Sequence, residues 1–185
     1  MIPDVSPIPI EDKPVLRQMF ELYRYDFSAF DGRDLSDHGW YDYGYLDHYW
    51  TDDDRIPFMI RMDDKLAGFA LVRHIADTDR DVMSLAEFFY RRQGVGEAAA
   101  RDVFTRFPGK WTLSINANNL EGMAFWPRIL ARILGCTTSE HPSPRPGSVI
   151  HEVSIPTTIP SMANSSTPVG RIGTSTKCLS LMTLY

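Results

Sequence analysis

Cysteine, basic residues and long apolar runs are all scarce in this chain, and each scarcity removes a class of function. Two cysteines, Cys136 and Cys178, occur among 185 residues. That is too few for a disulfide scaffold and lacks metal-ligand spacing, so two free thiols are expected. Of five histidines, His38 and His48 lie among aspartates, but ten residues apart in an irregular segment; no metal is expected there. Lysine plus arginine number 19 against 24 acidic residues, a formal charge of −5. Without a basic tract the chain is not expected to bind nucleic acid, whereas cationic small molecules suit it. No apolar run approaches the ~20 residues that span a bilayer. Met1 to Ile10 lacks the charged start and apolar core of a secretory leader, so no membrane contact and a cytoplasmic location are expected.

What the chain does have is concentrated in Ser84 to Phe104, S-L-A-E-F-F-Y-R-R-Q-G-V-G-E-A-A-A-R-D-V-F. Leu85, Phe88 and Phe89 make a strand-like run. Arg91-Arg92-Gln93-Gly94-Val95-Gly96 then breaks the periodicity, and Ala98, Ala99, Val103 and Phe104 resume it at helical spacing. Gly94 and Gly96 can take positive φ, and a helix opening near Val95 presents unpaired N–H groups at the positive end of its dipole. Such a turn cradles an anion, and with Arg91 and Arg92 just upstream the expected guest is a phosphate or pyrophosphate. A Walker loop is excluded because no Gly-Lys-Ser/Thr follows. Gly94-x-Gly96-x-x-Ala99 also fits a dinucleotide fingerprint, but Arg-Arg-Gln separates it from the strand. The next strand, Trp111 to Ile115, ends at Asn116 rather than at an acidic residue. The plainest reading is a strand-to-helix connection with a solvated arginine pair.

Length and ordinary globular composition predict one domain with a sizeable core. Ile8 to Ile10 reads as a first strand, and Pro14 opens a helix carrying Val15, Leu16, Met19, Phe20, Leu22 and Tyr23. From Asp26 to Asp54 aspartates interleave with aromatics. This suits an ammonium ligand through ion pairing and cation–π contact, with Asp26 and Tyr43 as candidate contacts. The plainer reading places Trp50 and Tyr45 in the core and leaves the aspartates as solvated loop and cap residues. Ile56–Met62 and Leu66–His74 form a hairpin across Asp63-Asp64-Lys65, and Gly68 marks a bulge or close approach. His74 reads as a surface or edge residue. Asn118-x-x-Glu121 has the form of a capping box with Asn118 as N-cap, and Pro127 predicts a kink or a helix restart. Six of thirteen prolines fall between Pro142 and Pro168, so residues 136–185 are expected to be a Pro/Ser/Thr-rich segment, partly disordered, following a domain over 1–135. Val149–Ile155 and Cys178–Leu184 are its candidate strands.

Arg91-x-x-Gly94-x-Gly96 matches the R/Q-x-x-G-x-G/A signature of the GNAT acyl-CoA N-acyltransferases. The order Tyr90-Arg91-Arg92-Gln93-Gly94-Val95-Gly96, Arg106-Phe107-Pro108-Gly109-Lys110-Trp111, then Asn118 or Asn119 before Ala124-Phe125-Trp126, resembles one bacterial subgroup of that family. The resemblance implies an α+β fold, three-layer α/β/α, with a mixed, mostly antiparallel central sheet flanked by helices. It implies acetyl-CoA as acyl donor, held by Phe89, Tyr90, Arg91, Arg92, Gln93, Gly94, Val95, Gly96, Asn118 and Asn119, with the strand after the helix splayed away to admit the pantetheine. The acceptor it implies is a small-molecule amine; a homodimer stays open. Glu87 is the candidate catalytic base, since the subgroup carries a glutamate before its Phe-Phe pair; its plainer role is a surface strand carboxylate. Two departures stand out. The spacing from Glu-Phe-Phe to Tyr-Arg-Arg is shorter by about four residues, which Val82 to Ala86 can supply at roughly 3.3 Å per residue. Trp126 stands where the family has a tyrosine that protonates the leaving thiolate; an indole N–H does not, leaving water or Tyr90. A GNAT-like CoA-binding module without competent catalysis is the alternative function, and a NAD(P)-binding domain the third.

Overall fold

The computed structural model describes residues 2–76, 81–90, 94–134, 138–143 and 147–155. The elements run β1 (Asp4–Pro7), α1 (Lys13–Asp31), α2 (His48–Thr51), β2 (Arg55–Met62), β3 (Lys65–Ala76), β4 (Asp81–Tyr90), α3 (Val95–Arg106), β5 (Gly109–Asn116), α4 (Leu120–Leu134), β6 (Thr138–Pro142) and β7 (Ser148–Ile155). The strands form one sheet in the order β1-β2-β3-β4-β5-β7-β6. Every described pairing is antiparallel except β4 with β5. This is the expected α+β arrangement, and it removes the NAD(P) reading, which needs a parallel sheet built from successive βαβ units.

Helix α1 buries Leu16, Met19, Phe20, Tyr23, Arg24 and Phe27, a stripe at helical spacing that packs on the sheet. With α2 it covers Met59, Phe69, Leu71, Ala86 and Phe89 on one face. On the other face α3 and α4 bury Val103, Phe104, Trp126 and Leu130 against Phe58, Leu85, Phe88, Trp111 and Leu113. The alternation of strand side chains therefore feeds two separate cores, and the sheet is the middle of three layers.

Local details depart from the sequence expectation in four places. The first strand lies at Asp4–Pro7; Ile8 still donates to Pro57 O at 2.9 Å, but Ile10–Asp12 is a 3-10 turn leading into α1. Asn119, not Asn118, caps α4: its Oδ1 accepts the Gly122 N–H at 2.9 Å, satisfying one opening donor of the helix. Of the two outcomes expected at Pro127, the restart does not occur, since α4 runs unbroken through it; the ring removes one backbone donor, and the apolar face toward α3 and the sheet outweighs that loss. Strand β6, fully exposed, had no periodicity to mark it and exists by pairing with β7.

Other expectations hold. Asp63 and Asp64, both with positive φ (50° and 61°), make a two-residue hairpin turn, as strand twist favours. Gly68 lies beside an irregularity of the β2–β3 register, and a side chain there would run into the carbonyl oxygen of Phe89. Val149–Ile155 lies within β7, whereas Cys178–Leu184 lies outside the described residues.

Candidate active site

Strand β4 is where the sheet opens. It pairs with β5 at Met83↔Trp111 and Ser84↔Thr112 and at no later position among the described residues, although β4 continues to Tyr90 and β5 to Asn116. Beyond Ser84 no bridge to β5 is present among the described residues, while β5 pairs with β7 on its other edge along its whole length. A sheet that parts in this way leaves room beside β4 for an extended ligand arm.

On its other edge β4 is irregular as well. Leu71 pairs with Glu87 while Val72 pairs with Leu85, so Ala86 is the extra residue of a bulge. A bulge turns two successive side chains to one face. Ala86 packs in the α1/α2 core, and Glu87 meets Tyr23 of α1, while Leu85 and Phe88 face α3 and α4. Glu87 is 0% exposed, so the reading as a surface carboxylate falls. The Tyr23 hydroxyl donates to its Oε2.

Three further groups feel the charge of that carboxylate. Burial first, and the charge of Glu87 second, push the Tyr49 hydroxyl up to about 12, and the same causes raise Tyr43 well above the usual tyrosine range. Burial opposes the charge on Arg24, but its hydrogen bond to Asp31 at 2.8 Å and the neighbouring Tyr23, Asp31 and Glu87 groups outweigh it and raise its pKa. Sequence reasoning named Tyr43 and missed Tyr23, Arg24 and Tyr49. An arginine inside the apolar stripe of α1 was the available signal, because charges are rarely buried unpaired.

At the far end of β4 the chain reaches the glycine turn. Helix α3 starts after Gly94, left-handed at φ 83°; among the described residues no side chain caps it and nothing lies within 4 Å of where a Cβ would stand. That opening fits the expected anion cradle. Gly96 is different: a Cβ there would lie 2.5 Å from the Tyr90 ring, so this glycine makes room for Tyr90, which also packs 5.6 Å from Phe125. Phe89 and Val95 are buried. Arg91, Arg92 and Gln93 lie outside the described residues.

Of the two asparagines, Asn118 donates from Nδ2 to Phe30 O at 3.1 Å, tying the β5–α4 turn to the last turn of α1, and Asn119 is the buried helix cap. Trp126 is fully buried, its ring 5.2 Å from Phe88 and 4.9 Å from Phe125; the indole is part of the packing. Asp26 is half-buried on α1, and Tyr43 stacks on Phe20 at 4.4 Å. Much of the acidic run is taken up by neighbouring side chains: Asp47 by Lys13 at 2.9 Å, Asp52 by His48 Nδ1 at 2.9 Å, Asp54 by Arg55 and Arg73 at 3.7 and 3.8 Å. Trp50 is half-buried with its indole N–H on Ile8 O, while Tyr45, expected in the core, is exposed beneath Arg55. His74 pairs with Asp81 at the surface. Among the described residues no group of His, Cys, Asp and Glu could hold a metal, and no helix is long and apolar enough to cross a membrane.

A mixed sheet that opens beyond its parallel pair, beside a helix beginning on a left-handed glycine, is the architecture the acyl-CoA N-acyltransferases share. Residues 16–130, more than half the chain, match the family model described as Acetyltransferase (GNAT) family, and the chain belongs to that family. Solved structures agree in fold. An acetyltransferase from Thermus thermophilus superposes with a TM-score of 0.62 at 16% identity, covering 84% of this chain and 98% of that one. The spermidine N-acetyltransferase of Vibrio cholerae, in complex with CoA and spermine, gives 0.54 at 10% identity, covering 83% and 94%. The ribosomal-protein-alanine N-acetyltransferase of Escherichia coli gives 0.55 at 15% identity, covering 91% and 100%. No curated protein matches the chain in sequence.

Proposed function

We propose that the protein transfers an acetyl group from acetyl-CoA to a primary amine of a small molecule in the cytoplasm, with Glu87 as the proton acceptor. The observation that supports this best is the parting of β4 from β5 after Ser84 and Thr112, with a buried carboxylate at the bulge three residues on. Gly94, Val95 and Gly96, with the Arg91-Arg92-Gln93 run before them, would hold the diphosphate, and β4 beyond its last bridge to β5 would bind the pantetheine amides. Acetyl-CoA, when bound, supplies the activated acyl group.

The residues of this chain then have separable tasks. Backbone N–H groups of β4 at the bulge polarise the acyl carbonyl, a preorganised dipole that needs no rearrangement. The α1/α2 face, with Tyr43 and Asp26, receives the amine. Glu87 takes the ammonium proton through a water, because the carboxylate itself is enclosed. The departing thiolate is protonated by water or by Tyr90, since Trp126 is committed to the core.

The test is a thermal-shift titration followed by thiol release. Acetyl-CoA should stabilise the protein and NAD(P) should not; release of CoA thiol with a panel of amines, spermidine among them, then separates an enzyme from a CoA-binding module. Gly94→Asp places a carboxylate in the open cradle and should abolish the acetyl-CoA shift. Undiminished affinity in that variant would move the diphosphate elsewhere.

A further inference from the structure

Glu87 is fully enclosed, and burial by itself works against a charge. A carboxylate taken from water tends to its neutral form unless hydrogen bonds and nearby cations hold it ionised, and a neutral acid cannot accept a proton. Among the described residues, Tyr23 from α1 bonds it, Arg24 from α1, Tyr43 from the segment ahead of α2 and Tyr49 from α2 feel its charge, and β3 presents Leu71, opposite it in register. Arg24 spends its close contact on Asp31 at 2.8 Å and acts on Glu87 at longer range. Tyr23 bonds it directly.

Tyr23 is also held in place by its ring. Phe20, Phe27, Phe69 and Phe89 stand 5.2, 5.9, 5.6 and 5.9 Å from it, centroid to centroid. Packing alone would be served as well by phenylalanine, so the hydroxyl is the part of this side chain that needs a reason, and its partner is the carboxylate. We infer that Tyr23 is a positioning residue that keeps the Glu87 carboxyl ionised and fixed in direction, which makes a fully enclosed glutamate a proton acceptor at neutral pH. The inference rests on the acyl-transfer reading above. A donor to the charged form lowers a carboxyl pKa and burial raises it; removing the donor shifts that balance toward burial.

Tyr23→Phe keeps the ring and deletes the donor. In the full-length protein, the Glu87 carboxyl is followed through its infrared carboxylate and carboxylic-acid bands across pH, each spectrum differenced against Glu87→Gln. The midpoint in Tyr23→Phe should rise by about one pH unit or more, and the acid limb of thiol release from acetyl-CoA, with the most active amine of the panel, should move with it. An unmoved midpoint overturns the inference, even if the variant melts at a lower temperature, because a purely structural tyrosine would change stability and leave the titration where it was. Full thiol release in Glu87→Gln is a separate outcome: it would take Glu87 out of the chemistry and sink the proposed proton acceptor, while the infrared midpoints would still report on Tyr23.

Discussion

The two faces of β4 are built on opposite principles. Toward α3 and α4 the strand presents Leu85, Phe88 and Tyr90 to a core whose large members are Phe58, Phe104, Trp111 and Trp126. Toward α1 and α2 it presents Ala86, Glu87 and Phe89, and there the core contains a carboxylate, a guanidinium and tyrosine hydroxyls. The first face shows that this sheet can be covered almost wholly by apolar packing, without a buried carboxylate or guanidinium. The second is therefore not forced by the fold. Burying an ion pair or a hydrogen-bonded charge is often no more stable than an apolar replacement of the same volume, so the polar face calls for an explanation outside stability, and proton transfer provides one.

The comparison breaks most directly at Glu87. Glu87→Gln keeps the shape and removes the base, and thiol release should fall on the order of 10²–10⁴-fold, while the melting temperature stays level or rises. Steady-state kinetics and a melting curve on one preparation check both halves. A variant that keeps its activity and loses stability would make the two faces equivalent, each holding the fold together and neither performing chemistry.

A smaller effect is expected at Gly96, where the apolar face meets the coenzyme signature. In a helix, Gly→Ala normally gains up to about 1 kcal/mol. Here the new methyl would stand 2.5 to 2.8 Å from three atoms of the Tyr90 ring, and overpacking of that kind costs about 1–3 kcal/mol. Gly96→Ala should thus be net destabilising, by about 1 kcal/mol, and Tyr90→Leu should recover most of the loss in a double-mutant cycle. If the glycine instead serves only the approach of a diphosphate, Gly96→Ala will weaken acetyl-CoA binding, with stability unchanged and no rescue from Tyr90→Leu.

How much of this could be read from the chain depends on the distance over which the information lies. The signature turn, the hairpin at Asp63–Asp64 and the strand along Ser84–Phe89 are local, and residue type decides them. The helix cap was legible to within one residue: Asn118 and Asn119 are chemically identical, and what selects Asn119 is that it is buried with its Oδ1 on Gly122, while Asn118 reaches across to Phe30. Strand β6 was illegible because none of its side chains is buried; the backbone ladder to β7 defines it. The surroundings of Glu87 were the hardest. Tyr23 is 64 positions away and reads as one more apolar residue in the stripe of α1, and its hydroxyl acquires meaning when the bulge turns Glu87 toward it.

The smallest effect concerns a titratable group on the otherwise apolar side. His151 stands opposite Leu113 in the β5–β7 ladder, on the same side as Val153 and Ile155, and is 0% exposed. Burial lowers its pKa, and the Glu140 carboxylate 3.6 Å from Nδ1, itself exposed, offsets that loss in part. With the folded-state pKa below the unfolded value of about 6.5, the unfolded chain binds the proton first as pH falls. The contribution of His151 is therefore present above about pH 6.5 and is lost as pH drops through the folded pKa. His151→Leu removes this proton uptake, so denaturant midpoints of the variant should decline less between pH 7 and pH 5 than those of the native chain. The opposite slope would mean that Glu140 outweighs burial and that the imidazole is charged in the fold. The α3/α4 side would then hold a buried ion of its own, and its contrast with the Glu87 face would shrink to a difference of degree.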